Sequence, residues 1–217
     1  CGIFCINNVG RIYLGIFDWN AILGGGNMNL QKLFELQRQL DERIEREHPR
    51  QDGEDRLAKK ILALQVELGE LANEWRGFKF WSNDQAPRIG IPSVHYDENL
   101  GHDVVEYVGP NPLLEEFADG LHFLLSIGND INMNEVYEDE EPKPVCSETI
   151  IDQFMSINYD ISSLYYYRHD DINGDIYDLI FPGFLGLGQM LGFTWEQIEA
   201  AYMQKNAENH RRQDSNY

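Results

Sequence analysis

Three glutamates, Glu67, Glu70 and Glu74, recur at helical spacing within residues 62–81, LALQVELGELANEWRGFKFW. The spacing predicts one helix over this whole stretch. At about 100° per residue, Glu74 lies about 20° and Glu70 about 60° from Glu67, so one strip carries all three. Leu64, Leu68, Leu71 and Trp75 fall on the neighbouring face and form a core stripe. Like charges so placed destabilise a bare helix by about 0.2–0.5 kcal/mol per pair. Such a strip is either a solvated acidic edge, the commoner case, or a place prepared for a cation.

Residues 111–130, NPLLEEFADGLHFLLSIGND, repeat the pattern. Glu116 and Asp119 form an E-x-x-D pair, and Asp130 returns to their face three to four turns later. Leu113, Phe117, Leu121 and Leu124 form the adjoining apolar face. Two such helices packed antiparallel point four carboxylates at one another. That is costly without compensation. Hard divalent cations accept oxygen ligands, and magnesium commonly keeps waters and takes substrate phosphates as well. Helix bundles often build metal sites from facing helices in this way.

The elements that must position these acids are helical. Met28 to Glu47 reads as a first helix, with Leu30, Leu33, Phe34, Leu36, Leu40 and Ile44 on its apolar side. Gln37 and Asp41, one turn apart, sit near that stripe, and pattern alone favours leaving both in solvent. Ser82 to Pro110 is a long loop with a possible hairpin at Ile89 to Val108, a functional lid or an insertion. Ser147 is the expected N-cap of a helix whose apolar face runs through Ile150, Phe154, Ile157, Ile161 and Leu164. Asp175 to Leu191 reads as another helix, bent or started late at Pro182. Thr194-x-x-Gln197 is a capping-box signature opening a last helix. There Tyr202, Lys205, Asn209 and Arg212 share one face, which is either functional or an ordinary basic helix end. Residues 1–27 differ from the rest: they are apolar, contain turn signals at Asn7-Asn8 and Gly10, and close on Gly24-Gly25-Gly26. They carry no basic segment or small-residue cleavage site, so a signal peptide is not expected. The domain is expected at 28–217, an all-α bundle with a short N-terminal extension of unassigned role and an insertion at 82–110.

With 37 acidic against 17 basic residues the net charge is −20, which disfavours binding a nucleic-acid polymer through its phosphates. A nucleotide is compatible, because metal ions bridge acidic ligands to phosphates. Cys1, Cys5 and Cys146 are too few for a disulfide framework in 217 residues. A reducing cytoplasm is therefore the expected setting. No apolar run approaches the roughly 18 residues of a membrane span, so no membrane is expected.

Glu67-x-x-Glu70 followed by Glu116-x-x-Asp119 resembles the signature of the all-α nucleoside triphosphate pyrophosphatases, the MazG-like superfamily. Within it the chain closely resembles the dimeric dUTPases. ELGELANEWRGFKFW, LLEEFADGLHFLLSIGND and AAYMQKNAENHRRQDSNY match in order, over about Met28 to Tyr217. The resemblance implies hydrolysis of dUTP, and of dUDP, to dUMP, with two or more magnesium ions per site. It implies that Glu67, Glu70, Glu116 and Asp119 ligate the metal and that Glu70 helps orient or activate the attacking water. It places Gln37, Trp81, His122 and Phe123 around uracil and deoxyribose. Lys205, Asn206, Asn209 and Arg212 would hold the phosphates, with Lys79 near them. A homodimer is implied, and apolar surface on the first helix and on the helices after Ser147 agrees with it. The chain departs from the pattern in its longer 82–110 loop and in Asn216 before Tyr217, where the family often has glycine. Two rivals remain: a MazG-like pyrophosphatase with another base preference, and a non-catalytic helical interaction protein.

Overall fold

A computed structural model describes residues 29–97, 101–139 and 141–215. The extension at 1–27, with its expected hairpin and glycine linker, lies outside the described residues, as do Met28 and Asn216-Tyr217. Among the described residues, seven helices and one hairpin follow in chain order: α1 (Leu30–Glu47), α2 (Arg56–Trp75), β1 (Ile91–Asp97), β2 (His102–Val108), α3 (Pro112–Asp130), α4 (Met133–Asp139), α5 (Ile150–Tyr167), α6 (Asn173–Met190) and α7 (Trp195–Asp214). The all-α expectation holds, with the hairpin inside the expected 89–108 range. Among the described residues no single helix is long and apolar enough to cross a membrane.

Helix α3 is the hub, packed against α1, α2, α4 and α7. Its apolar spacing explains this: Leu113, Phe117, Leu121, Leu124, Leu125 and Ile127 are all buried. Each such side chain contributes roughly 1.5–3 kcal/mol on leaving water. Gly128 lets α6 approach: a Cβ there would stand 2.5 Å from the Tyr177 hydroxyl, which donates to the Leu124 carbonyl at 2.8 Å. Asn111 starts α3, accepting from Leu114 N, with Pro112 in the first turn where no donor is needed. The acids of α3 are thereby held on a rigid, doubly covered helix.

Several boundaries differ from expectation. Helix α2 begins at Arg56, capped by Asp55, and stops at Trp75, so Gly77–Trp81 is a turn and not helix. Arg76 adopts a left-handed conformation (φ 64°), and Gly77 follows, where a Cβ would collide with the Trp75 ring at 2.3 Å. A glycine just past a left-handed residue is a helix stop. Thr149, not Ser147, caps α5, because Thr149 Oγ1 accepts from Asp152 N. Helix α6 runs through Pro182 from Asn173 to Met190. The capping box at Thr194 and Gln197 forms as the sequence predicts.

The hairpin is antiparallel, with Ile91 opposite Val108 and Asp97 opposite His102. Its base is stitched to the acidic helices through Arg88, whose N–H donates to the Glu74 carbonyl and whose carbonyl accepts from Leu113 N, both at 3.0 Å. The strands themselves stay exposed, Ile91, Val94, Tyr96 and Tyr107 included.

Candidate active site

Helices α2 and α3 bring three acids together: ligand oxygens of Glu67, Glu70 and Glu116 lie within 4.8 Å of one another. Glu67 and Glu116 are half-buried and Glu70 is exposed at the rim. Burial, followed by repulsion from neighbouring acids, pushes Glu67 and Glu116 up to about 7. Asp119 bears on both electrostatically, but its own carboxylate accepts from Lys205 Nζ at 2.5 Å. Burial raises Asp119, while Lys205 and Arg212 oppose the rise. Helix α7 thus reaches across the acids and holds one of the four. Asp130, three to four turns further along α3, pairs with Lys60 at 2.7 Å and takes no part in the cluster. Glu74, the third acid of the strip, keeps one buried carboxylate oxygen without a hydrogen-bond partner, with Arg88 at 3.9 Å.

One turn up α3 from Asp119, His122 is buried and held neutral, its pKa lowered to about 3 by burial. Its Nδ1 is 2.7 Å from Gln37 Oε1, and its ring stacks on Tyr202, centroids 4.1 Å apart. Gln37 is only 3% exposed, against the expectation that it faces solvent. It escapes solvent because α7 covers α1, and the Tyr202 hydroxyl lies 3.1 Å from Gln37 Oε1. Asp41 is half-buried below it, accepting from Gln37 Nε2 at 2.9 Å and from Ser126 Oγ at 2.7 Å.

The remaining residues implied by the resemblance are more scattered. Phe123 is half-buried against the core. Asn206 is buried beside Tyr202, and Asn209 is half-buried on the same helix. Arg212 contacts Glu208 at 3.3 Å. Lys79 reaches back to the Asn73 carbonyl at 3.2 Å, and Trp81 is 66% exposed, packed edge-on against Phe78 and Phe80. Both stand on the turn after α2, so their position depends on that turn and not on the helix.

Sequence reading set Gln37 and Asp41 one turn apart but left both in solvent, and it missed Ser126 and Lys60, which join them in one hydrogen-bonded and ion-paired chain. A signal was available. Asp41 is four residues after Gln37 and Ser126 four after His122, so both pairs repeat on facing helices.

The donor set suits a hard divalent cation: three carboxylates from two facing helices, with no ion pair to Glu67, Glu70 or Glu116 among the described residues. No curated protein matches the chain. The dUTPase family profile matches residues 29–91 and 108–217, passing over nearly all of the hairpin. With both acidic helices, α1 and α7 inside that match, the chain belongs to the all-α dUTPase family.

Proposed function

We propose that this dUTPase-family chain hydrolyses dUTP to dUMP and pyrophosphate, with magnesium held by Glu67, Glu70 and Glu116 and by Asp119 once Lys205 turns to the substrate. The observation that carries this is the convergence of unpaired carboxylates on α2 and α3. Bound magnesium would supply Lewis acidity toward the phosphates and toward water. Glu70, exposed at the rim, orients the attacking water and accepts its proton. Water adds in line to phosphorus as the phosphoanhydride bond breaks, and pyrophosphate leaves. Lys205 moves its charge from Asp119 to the departing phosphates, with Asn206, Asn209, Arg212 and Lys79 supplying further donors. Gln37 reads the base edge, and His122, Phe123 and Trp81 pack base and sugar. Hydrolysis of dUDP and a cytoplasmic setting belong to the same reading.

The same reading makes the chain a homodimer and residues 82–110 an insertion, of which 92–107 fall outside the family match. Support for the dimer comes from exposed Leu62 and Val66 on α2 beside exposed Ile151, Met155, Tyr159 and Tyr166 on α5. The α1 apolar residues expected to contribute are spent inside the subunit, with Leu30, Leu33, Phe34 and Leu40 buried. Sedimentation tests the dimer; a species of only 25.2 kDa at micromolar concentration rules it out. The decisive assay is pyrophosphate release from dUTP, dCTP, dTTP and UTP side by side, with magnesium and then with chelator. Efficient, magnesium-dependent release from dUTP is expected. Equal efficiency on all four would favour a MazG-like enzyme with looser base choice, and no release from any would favour a non-catalytic interaction protein.

A further inference from the structure

The geometry points to Asp41 as a specificity-determining positioning residue: clamped by Ser126 and Lys60, it fixes which end of the Gln37 amide is offered to a pyrimidine base. This rests on the reading of Gln37 as the base-facing residue.

A carboxylate only accepts hydrogen bonds. The Gln37 atom 2.9 Å from Asp41 Oδ1 must therefore be its nitrogen, which leaves Oε1 turned toward His122 Nδ1 at 2.7 Å and the Tyr202 hydroxyl at 3.1 Å. Asp41 is itself held, with Ser126 Oγ donating at 2.7 Å to its other oxygen and Lys60 Nζ at 3.9 Å. Lys60 is tied in turn to Asp130 at 2.7 Å. Burial raises the Asp41 pKa, and Lys60, Ser126 and Gln37 oppose the rise; with Asp41 ionised it can only accept, and that sets the amide orientation.

The consequence is a count of valences. In that orientation Oε1 faces His122 Nδ1 and the Tyr202 hydroxyl, whose one proton is shared with the Leu33 carbonyl at 3.3 Å, and one N–H of Nε2 is spent on Asp41. A single N–H remains for a ligand. A donor complements a ring carbonyl, as in uracil, and opposes the exocyclic amine that cytosine carries at the same place. Reversing the amide would offer an acceptor instead and invert the preference. Sites that hydrogen-bond a specific edge discriminate far more strongly than sites that only exclude by size. The uracil preference would thus be set by Asp41, which meets the base only through Gln37.

The same arrangement fixes the His122 tautomer. A neutral imidazole has one N–H, and Gln37 Oε1 requires it on Nδ1. The Tyr202 carbonyl, 3.3 Å from His122 Nε2, is also an acceptor and competes for that single proton; the shorter 2.7 Å contact to Gln37 Oε1 assigns it to Nδ1 and leaves the Tyr202 carbonyl as a van der Waals neighbour.

Two experiments test this in the full chain with magnesium. In Asp41→Asn the new amide can turn together with Gln37, so both presentations become accessible. The ratio of kcat/KM for dUTP to that for dCTP should fall at least about tenfold, with dCTP efficiency rising in absolute terms. A loss merely of packing would lower both substrates together, and that outcome overturns the inference. Gln37→Leu serves as the reference. If it leaves the ratio unchanged, the base-reading role itself fails. If it changes the ratio and Asp41→Asn does not, only the role of Asp41 fails. The second experiment needs no variant and so survives an unfoldable one: ¹⁵N NMR of His122 in the intact protein. The Nδ1-protonated neutral ring is expected, and the Nε2-protonated ring means that Gln37 presents its nitrogen to His122, which overturns the clamp.

Discussion

At one end of the α2–α3 face, Asp41 and Asp130 share Lys60, and Asp41 takes further donors from Ser126 and Gln37. Two turns along α2, Glu67, Glu70 and Glu116 crowd together without an ion pair among the described residues. Both ends are acidic, both are partly buried, and both involve the same two helices. They differ in who supplies the positive charge. At the Lys60 end the chain does so itself, and the acids become a fixed polar scaffold. At the Glu67 end only Asp119 has a lysine, and that lysine comes from α7, the helix expected to handle phosphates. An acidic cluster is thus informative less through its charge than through the cation the fold leaves out.

The largest effect should follow from disturbing the open end. Glu70→Gln keeps the side-chain size and removes a full-strength ligand and base. Turnover of dUTP should fall by roughly a hundredfold or more, the scale of losing one electrostatic element of a catalytic site. Circular dichroism and thermal melting should show the fold intact, because a repulsion is relieved. Wild-type turnover in this variant would remove Glu70 from the reaction.

Disturbing the closed end should cost stability instead. Lys60→Met removes the cation beside Asp41; the two side chains are 15% and 22% exposed. Such a loss falls between surface and buried ion pairs, about 1–3 kcal/mol. For a domain of this size the Tm should drop by at least about 2–4 °C. Glu67→Gln in metal-free protein should hold or raise Tm. Equal falls in both variants would abolish the distinction between the two ends.

Much of this is legible in the sequence, and the parts that are not share a cause. The four acids sit on helical repeats strong enough to place them on α2 and α3 from spacing alone. The hairpin, the all-α class and the capping box at Thr194 rest on equally local signals. Gln37 and Asp41 fail on pattern because they lie at the edge of α1's apolar stripe. What buries Gln37 is Tyr202, 165 residues away, and what claims Asp41 is Lys60 and Ser126 on two other helices. For Asp130 helical phase gives the face of α3 but cannot say that Lys60 waits opposite. The end of α2 is readable in principle from Gly77, but the aromatic residues beyond it extend the apparent stripe.

The smallest expected effect is a pH dependence, and it sharpens the comparison most directly because it needs no catalysis. In the metal-free fold Glu67 and Glu116 are pushed up to about 7, against about 4.5 for a free glutamate. Between those values the folded chain holds protons that the unfolded chain has released. Raised carboxylates of this kind favour the fold fully below about 4.5, and the contribution is lost as pH climbs through about 7. Chelator-treated protein should therefore melt at a lower temperature at pH 8 than at pH 5.5, by on the order of a few °C. Magnesium should flatten the slope, since the ion does at high pH what protons do at low pH and stabilises the state that binds it. Glu67→Gln should flatten it in part without any metal. Differential scanning calorimetry on the wild type with and without magnesium, and on the variant, supplies the comparison. A slope indifferent to both metal and variant would mean that the cluster is no more strained than the Lys60 end, and the open site would lose its physical basis.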